Sequence, residues 1–465
     1  MKIGLVIDNP KRELHGHLLV TEELANAGHE VYIIPMYQQG LDIPLLGLDA
    51  VVMNYVRPNN RELLTAYRAL GVRVLVLDTE GGVLSEQGAN APDKWATSLR
   101  ESGLMDLVDD YLFWGRNVYQ AFVRHSGKDV ARLHLTGNPR FDLCADQWRP
   151  FLHYPREDYV LVNTNFSAIN PLLNHSDEAE LETLVAAGWD RAYIAPLLAD
   201  LKTVFEKYLE TLAWLAKRNP DIMFIVRPHP FERETRYREA LGACQNVIVD
   251  GGGNVLNVIA HARCVLHLNC GTATEACLMG KLPVSMEFLN TERLLRHTPL
   301  PSRVSLAVGS REELDALVKK PEPFARHYDA AGVYAKYIEP WFHLRDGQAY
   351  SRVSRVILEA AKNRAAGDTP GRYRMAARGC FTKPHWLQRL QGVAACVVGS
   401  LAVAKLREHA HRARAAKSMD IGNILRDLER IAGIKGRKSR YRVAHARHPL
   451  HGAKMATIAV IPVNS

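Results

Sequence analysis

Short, unbroken apolar runs alternate with helix-patterned stretches through the first 360 residues, and this alternation constrains the chain to an α/β architecture. In the first block the runs are Lys2–Ile7, Val31–Pro35, Ala50–Tyr55, Val72–Leu77, Asp110–Trp114 and Leu133–Leu135. Helical stretches such as Gly16–Ala27 and Arg61–Leu70 lie between them. Runs this short and apolar read as strands covered on both faces, and their spacing predicts a doubly wound parallel sheet. Around residues 144–158 the pattern lapses into a Trp/Pro/Arg-rich link. It restarts at Tyr159–Asn163 and continues through Ile222–Val226, Val247–Val249, Cys264–Leu268 and Leu282–Ser285. Residues 166–200 form an insertion without a clear strand, followed by a long helix near Leu197–Arg218. The expected organisation is a first Rossmann-like domain (1–145), a second Rossmann-like domain (155–345), a closing helix (346–365) and a basic amphipathic, membrane-associating tail (366–465).

A chain of 465 residues accommodates two or three domains. Its net charge of +9 is unevenly placed. Residues 361–465 hold 21 Lys and Arg against 5 Asp and Glu, so the preceding residues are net negative. The basic character therefore belongs to the tail. There, Trp386, Leu387 and Leu390 mix with Lys383 and Arg389 beside the apolar run Gly392–Ala404, and Lys405–Lys417 and Gly436–Arg442 are cationic. A cationic amphipathic segment of this kind suits an anionic membrane surface. At 13 residues the apolar run is too short to cross a bilayer. No nucleic-acid motif accompanies the charge, so nucleic acid is not an expected partner. The opening MKIGLVIDNP reads as a first strand and not as a signal peptide. Seven cysteines without a CxxC pair read as reduced thiols. The expected location is cytoplasmic, peripheral at the inner membrane.

Chemistry concentrates where apolar runs end, because open α/β sheets bind ligands beyond the carboxyl ends of their strands. Arg227-Pro228-His229-Pro230 follows one run. Its prolines stiffen the loop, Arg227 offers a planar fork for a phosphate and His229 offers a donor. Asn269-Cys270-Gly271-Thr272 follows the next apolar run but one. Gly271 permits close backbone approach, a helix start favours an anion, and Glu275 one turn inside suits ribose hydroxyls. Asn163-Thr164-Asn165 offers amides to a sugar acid, and Gly251-Gly252-Gly253-Asn254 reads as a tight turn. In the first block, Lys11-Arg12-Glu13-Leu14 and Asp78-Thr79-Glu80-Gly81-Gly82 bring carboxylates to strand ends, where acid/base or nucleophilic work is done. Asn138 and Arg140 lie in Thr136–Asp142 at the end of the block. His15 and His17 read as helix-start residues. No metal-ligand cluster and no cofactor motif is visible.

The ordered set KREL, DTEGG, GNPRFD, VNTNF, RPHP and NCGTATEA resembles bacterial surface carbohydrate biosynthesis proteins near the capsule and lipopolysaccharide Kdo transferases that use CMP-Kdo. The resemblance covers roughly residues 1–360. The two-block outline likewise resembles the GT-B glycosyltransferase architecture and the UDP-N-acetylglucosamine 2-epimerases. This likeness implies that the first domain (1–145) is the acceptor side and that the second (155–345) is the nucleotide-sugar-binding domain. An HP loop is shared with CMP-sialic acid transferases and CDP-glycerol glycerophosphotransferases, which points to a cytidine nucleotide. The resemblance implies that Arg227, His229 and Pro230 take the nucleotide phosphate and that Asn269, Cys270, Gly271, Thr272 and Glu275 complete the pocket. It implies that Glu13, Asp78 and Glu80 supply carboxylates on the opposite wall, with Asp78 or Glu80 as nucleophile and Glu13 as acid/base. Arg12, Asn138, Arg140, Asn163 and Asn165 join the substrate contacts. The implied partners are a nucleotide-sugar donor and a polysaccharide or lipid-linked glycan acceptor. CDP-glycerol-type phosphotransfer and a non-catalytic scaffold of a polysaccharide assembly complex are the alternatives.

Overall fold

The computed structural model describes residues 1–81, 91–172, 177–186, 189–363, 418–449 and 452–463. The chain forms two compact units, Met1–Leu143 with Pro340–Ser465, and Cys144–Glu339.

In the first unit β1 (Lys2–Ile7), β2 (Glu30–Pro35), β3 (Ala50–Met53), β4 (Arg73–Leu77), β5 (Asp110–Phe113) and β6 (Leu133–Leu135) run parallel in the order β2-β1-β3-β4-β5-β6. Val51, Val52, Val74, Leu75 and Val76 are buried, which explains why these strands read as continuous apolar runs. The chain steps from β1 to β2, then returns past β1 to β3, so the strand order reverses between β1 and β3. Helix α1 (Pro10–Asn26) follows β1. Pro10 occupies its first turn and the Asn9 side chain accepts from the Lys11 N–H, a sequence-encoded start. Gly16 on α1 is required by a close approach. A Cβ there would lie 2.6 Å from the Arg140 nitrogen, so the Pro139–Arg140 backbone packs directly on the helix.

The second unit repeats the plan. β7 (Tyr159–Asn163), β8 (Phe224–Arg227), β9 (Val247–Val249), β10 (Ala262–His267), β11 (Pro283–Ser285) and the two-residue β12 (Leu306–Ala307) form a parallel sheet ordered β12-β11-β10-β7-β8-β9. Its reversal lies between β7 and β10. Helix α2 (Arg191–Arg218), capped by Asp190, buries Val204, Phe205, Tyr208, Leu212 and Leu215 against this sheet. Short helices α3 (Thr272–Leu278) and α4 (Glu292–His297) follow β10 and β11.

The chain then returns to the first unit. α5 (Ala349–Lys362), the expected closing helix, starts on Asp142, whose buried carboxylate accepts from the N–H groups of Ala349 (2.9 Å) and Tyr350 (2.7 Å). Burial pushes this carboxyl up to about 7 even though both N–H groups favour its charged form. The last part of the expected basic tail carries regular structure. Residues Ile421–Ile434 form helix α6, and β13 (Tyr441–Arg447) and β14 (Lys454–Pro462) form a hairpin. β14 pairs antiparallel with β2, setting Ile458 opposite Ile33 and Val460 opposite Val31. The sheet thereby reaches eight strands among the described residues. The physical reason is an apolar run, Ile458–Ile461, that competes for an open sheet edge. Part of the tail's cationic count is also spent internally. Lys435 Nζ lies 3.0 Å from Glu23, and it and Arg437 pair with both Glu22 and Glu23 on α1. The cationic amphipathic segment around Trp386, Gly392–Ala404 and Lys405–Lys417 lies outside the described residues. Among the described residues no helix is long and apolar enough to cross a membrane, and Cys144, Cys244, Cys264, Cys270 and Cys277 are unbridged.

Candidate functional site

The reversal in the second sheet puts the loops after β7 and β10 side by side, where a doubly wound sheet opens a crevice. Asn163, the last residue of β7, donates its amide to Thr272 Oγ1 (2.7 Å). Its own Oδ1 is buried and has no hydrogen-bond partner among the described residues. Two residues on, the Asn165 amide donates to the Asn269 carbonyl (2.7 Å). Asn269 holds a left-handed φ of 52°, which swings the chain out of β10 into α3. Its side chain is fixed by a reciprocal amide pair with Asn290 (2.9 and 3.1 Å). Next to it Gly271 faces open space. A Cβ there would meet nothing within 4 Å. Thus Asn163, Asn165, Asn269, Gly271 and Thr272, all expected at the site, come together. Two expected members do not join them. Cys270 is buried against Thr272 Oγ1 (3.1 Å), and burial pushes its thiol up to about 11, so it is an uncharged packing residue. Glu275 is turned into the interior, where Thr274 Oγ1 donates to it (3.0 Å).

The RPHP loop divides in two. Arg227, expected to hold a phosphate, is only 7% exposed. Its guanidinium donates to the carbonyls of Gly252 and Gly253, the latter at 2.6 Å. It is a clamp on the Gly251–Gly253 turn, because three carbonyls of that turn region converge where β8 ends. His229 and Pro230 are half-buried. The His229 N–H donates to Thr164 Oγ1 (3.2 Å), and Nδ1 accepts from the Phe231 N–H (3.3 Å). With Nδ1 accepting, the proton of the neutral ring sits on Nε2.

Glu232 was not singled out in the sequence, although it follows the HP pair by two residues. It is buried and accepts from Thr164 Oγ1 (2.8 Å), the Phe166 N–H (2.7 Å) and the Tyr237 hydroxyl. It therefore ties the loop after β7 to the loop after β8. Burial pushes its carboxyl up to about 7. Beside these loops lies a cleft of about 150 Å³, with Asn165, Asn269 and Thr298 among its polar walls and Phe166, Leu268 and Leu294 among its apolar ones.

In the first unit the expected carboxylates cluster at the carboxyl ends of β1 and β4. Asp78 is 2% exposed and takes both its oxygens to Arg57 (2.7 and 3.4 Å), with the Tyr111 hydroxyl at 3.4 Å. It also accepts from the Glu80 N–H (3.1 Å). Glu13 is buried in the first turn of α1, accepting from the N–H groups of Asp8 (3.0 Å) and Asn9 (3.4 Å) and from Arg12. Its carboxylate is committed to closing the helix start. Arg12 spans Glu13 (3.0 Å) and Glu80 (3.8 Å). Glu80, 67% exposed in its side chain, is the carboxylate of the three that water reaches freely. Asn138 is occupied in a local turn, accepting from the Arg140 N–H (2.9 Å). The Arg140 guanidinium lies over the Phe141 ring at 5.2 Å. Gly82 of the DTEGG segment lies outside the described residues.

Among the described residues no group of three or more His, Cys, Asp or Glu side chains is placed to hold a metal ion. No family model matches the chain, and no curated protein matches it. Solved structures are similar to it at low identity. The UDP-GlcNAc 2-epimerase of Methanocaldococcus jannaschii, in complex with UDP-GlcNAc and UDP, is 12% identical, with 77% of this chain and 100% of that chain covered and a TM-score of 0.43. A putative UDP-N-acetylglucosamine 2-epimerase of Listeria monocytogenes is 13% identical, covering 79% of this chain and 98% of that one at a TM-score of 0.48. The wall teichoic acid polymerase TagF is 11% identical, covering 79% and 90% at a TM-score of 0.48.

Proposed function

We propose that this chain is a glycosyltransferase that takes a sugar from a nucleotide donor, CMP-linked and Kdo-like, and adds it to a growing bacterial surface polysaccharide. The observation that carries the reading is the arrangement at the β7/β10 reversal. There Asn163 keeps an orphaned, buried Oδ1 beside Thr272, next to a glycine whose missing Cβ leaves open space. A buried acceptor without a donor is costly, and a ligand hydroxyl or amine supplies that donor. In this reading the donor's phosphate lies against Gly271 and Thr272, and His229 Nε2–H donates to it. Arg227 acts at one remove, by holding the glycine turn. Of the three carboxylates expected to be catalytic, Glu80 is the one assigned that role, since Glu13 and Asp78 are spent on the helix start and on Arg57. The cytidine preference rests on the resemblance of the HP loop.

The test is calorimetric and thermal-shift titration of the purified protein with CMP, CDP, UMP, UDP and GDP. A ligand that binds only the native state raises apparent stability by mass action. Stabilisation by CMP above the others, weakened in His229→Ala, is the expected result. A preference for UDP removes the CMP assignment. Absence of any nucleotide response sinks the transferase reading.

A further inference from the structure

Outside the strand-end loops, the second unit carries an aromatic arrangement that the function above does not use. Trp189 and Tyr193 are 40% and 42% exposed. Their rings are nearly parallel, at 13° with centroids 6.3 Å apart. Tyr193 stands at the start of α2, and its hydroxyl hydrogen-bonds His297 Nδ1 (2.9 Å) from the end of α4. The imidazole packs on both rings, at 5.8 Å from Trp189 and 5.9 Å from Tyr193. His297 also lines the cleft of about 150 Å³ that Asn165 and Asn269 enter. The platform and the cleft therefore share a wall.

We infer that this platform is a sugar-binding subsite, in which a neutral pyranose of the acceptor glycan lies on Trp189 and turns its hydroxyls to the cleft. The choice of a glycan acceptor rests on the function proposed above. Three physical points select this ligand. The ring spacing of 6.3 Å is too small to admit another ring between Trp189 and Tyr193, since van der Waals contact on both faces needs about 7 Å. A ligand must lie on an outer face. Among the described residues lining the cleft there is no Asp, Glu, Lys or Arg. The nearby Arg293 and Asp200 are paired with each other at 2.6 Å. Burial also lowers the His297 ring from its ordinary value, so it is uncharged near neutrality. Among the described lining residues a phosphate or carboxylate finds no cation. Amide and hydroxyl groups of Asn165, Asn269, Ser167 and Thr298, beside an aromatic face, match a ligand with an apolar C–H face and a hydroxylated edge. The tyrosine–histidine hydrogen bond holds the platform in place, so binding loses little side-chain freedom.

The test is saturation-transfer NMR and calorimetry on the full chain with chitotriose, maltotetraose, cellotetraose and galactotriose, alongside the CMP titration. The expected result is binding of at least one saccharide, weakened about tenfold in Trp189→Ala and Tyr193→Ala and largely kept in Trp189→Phe. The CMP response and melting temperature of these variants should match the parent. If no saccharide binds while CMP still stabilises the protein, the subsite is overturned and the transferase reading stands. If Trp189→Ala weakens CMP instead, the platform holds the base and the inference is again overturned. Saccharide binding through Trp189 without any nucleotide response supports the subsite and sinks the transferase reading.

Discussion

Arg57 and Asp78 form a partly buried ion pair whose energetics follow from its geometry. Asp78 is 2% exposed, whereas the Arg57 side chain is 35% exposed and lies over the Trp95 ring at 5.3 Å. The two partners are therefore not equivalent. Arg57→Met keeps an apolar stem against Trp95 but leaves an interior carboxylate with, among the described residues, the Tyr111 hydroxyl and the Glu80 N–H. Stranding a buried charge costs about 3–5 kcal/mol, and solvent access on the arginine side puts this site near about 3 kcal/mol. Asp78→Asn is milder, at about 2 kcal/mol, because Arg57 can turn into water and the amide oxygen still accepts from Glu80. The double variant should cost about 2–3 kcal/mol, roughly 2 kcal/mol less than the sum of the singles. Urea denaturation of the four proteins, followed in the first unit's transition, measures this coupling. If the two single losses add to within about 0.5 kcal/mol, the pair is not an energetic unit and the account of Asp78 as a structural anchor is wrong.

Glu80→Gln should leave stability within about 0.5 kcal/mol of the parent, since its side chain is largely in water, yet lower transfer by about 10²–10⁴-fold. A steady-state assay showing parental turnover would falsify the role given to Glu80. Glu232 carries a pH dependence. Its folded carboxyl is raised to about 7 from an ordinary value of 4.5, so across that interval the folded state binds more protons than the unfolded one, and stability falls as pH rises. The penalty is complete above pH 7 and absent below pH 4.5, on the order of 3 kcal/mol. Glu232→Gln should therefore compare more favourably with the parent at pH 8 than at pH 5. An equal difference at both pH values, measured by denaturant titration, refutes this. Asn269 has φ of 52°. Asn269→Val should cost about 1–3 kcal/mol more than Asn269→Gly, because both lose the Asn290 pair but only valine is strained there. Equal melting temperatures would contradict it.

Much of the fold was legible because parallel strands buried on both faces announce themselves. β1, β6, β7 and β9 match the expected runs at both ends. β12 was missed because two residues carry no periodicity. The last hairpin was missed because cationic composition pointed outward, while pairing with β2 depends on a partner more than four hundred residues away. At the site, sequence located the strand-end loops but not which side chains stay available. Arg227 reads as a phosphate fork, and nothing local reveals that carbonyls at residues 250–253 will occupy it. Glu13 reads as a catalytic acid, and its use by the helix start appears only once α1 begins at Pro10. Glu232 had a local signal, an acid just beyond the HP pair. Trp189 and Tyr193 had none, since their meaning comes from His297 more than a hundred residues later.

The pairing of β14 with β2 also sets an order of events on the ribosome. At synthesis rates of roughly 5–20 residues per second, β2 emerges on the order of a minute before the strand that will cover its edge. During that interval the nascent first sheet presents Val31 and Ile33 along an unprotected border. The first unit is thus a domain that finishes last, after the whole of the second unit has left the exit tunnel, and a chaperone that shields open strand edges has its longest opportunity there.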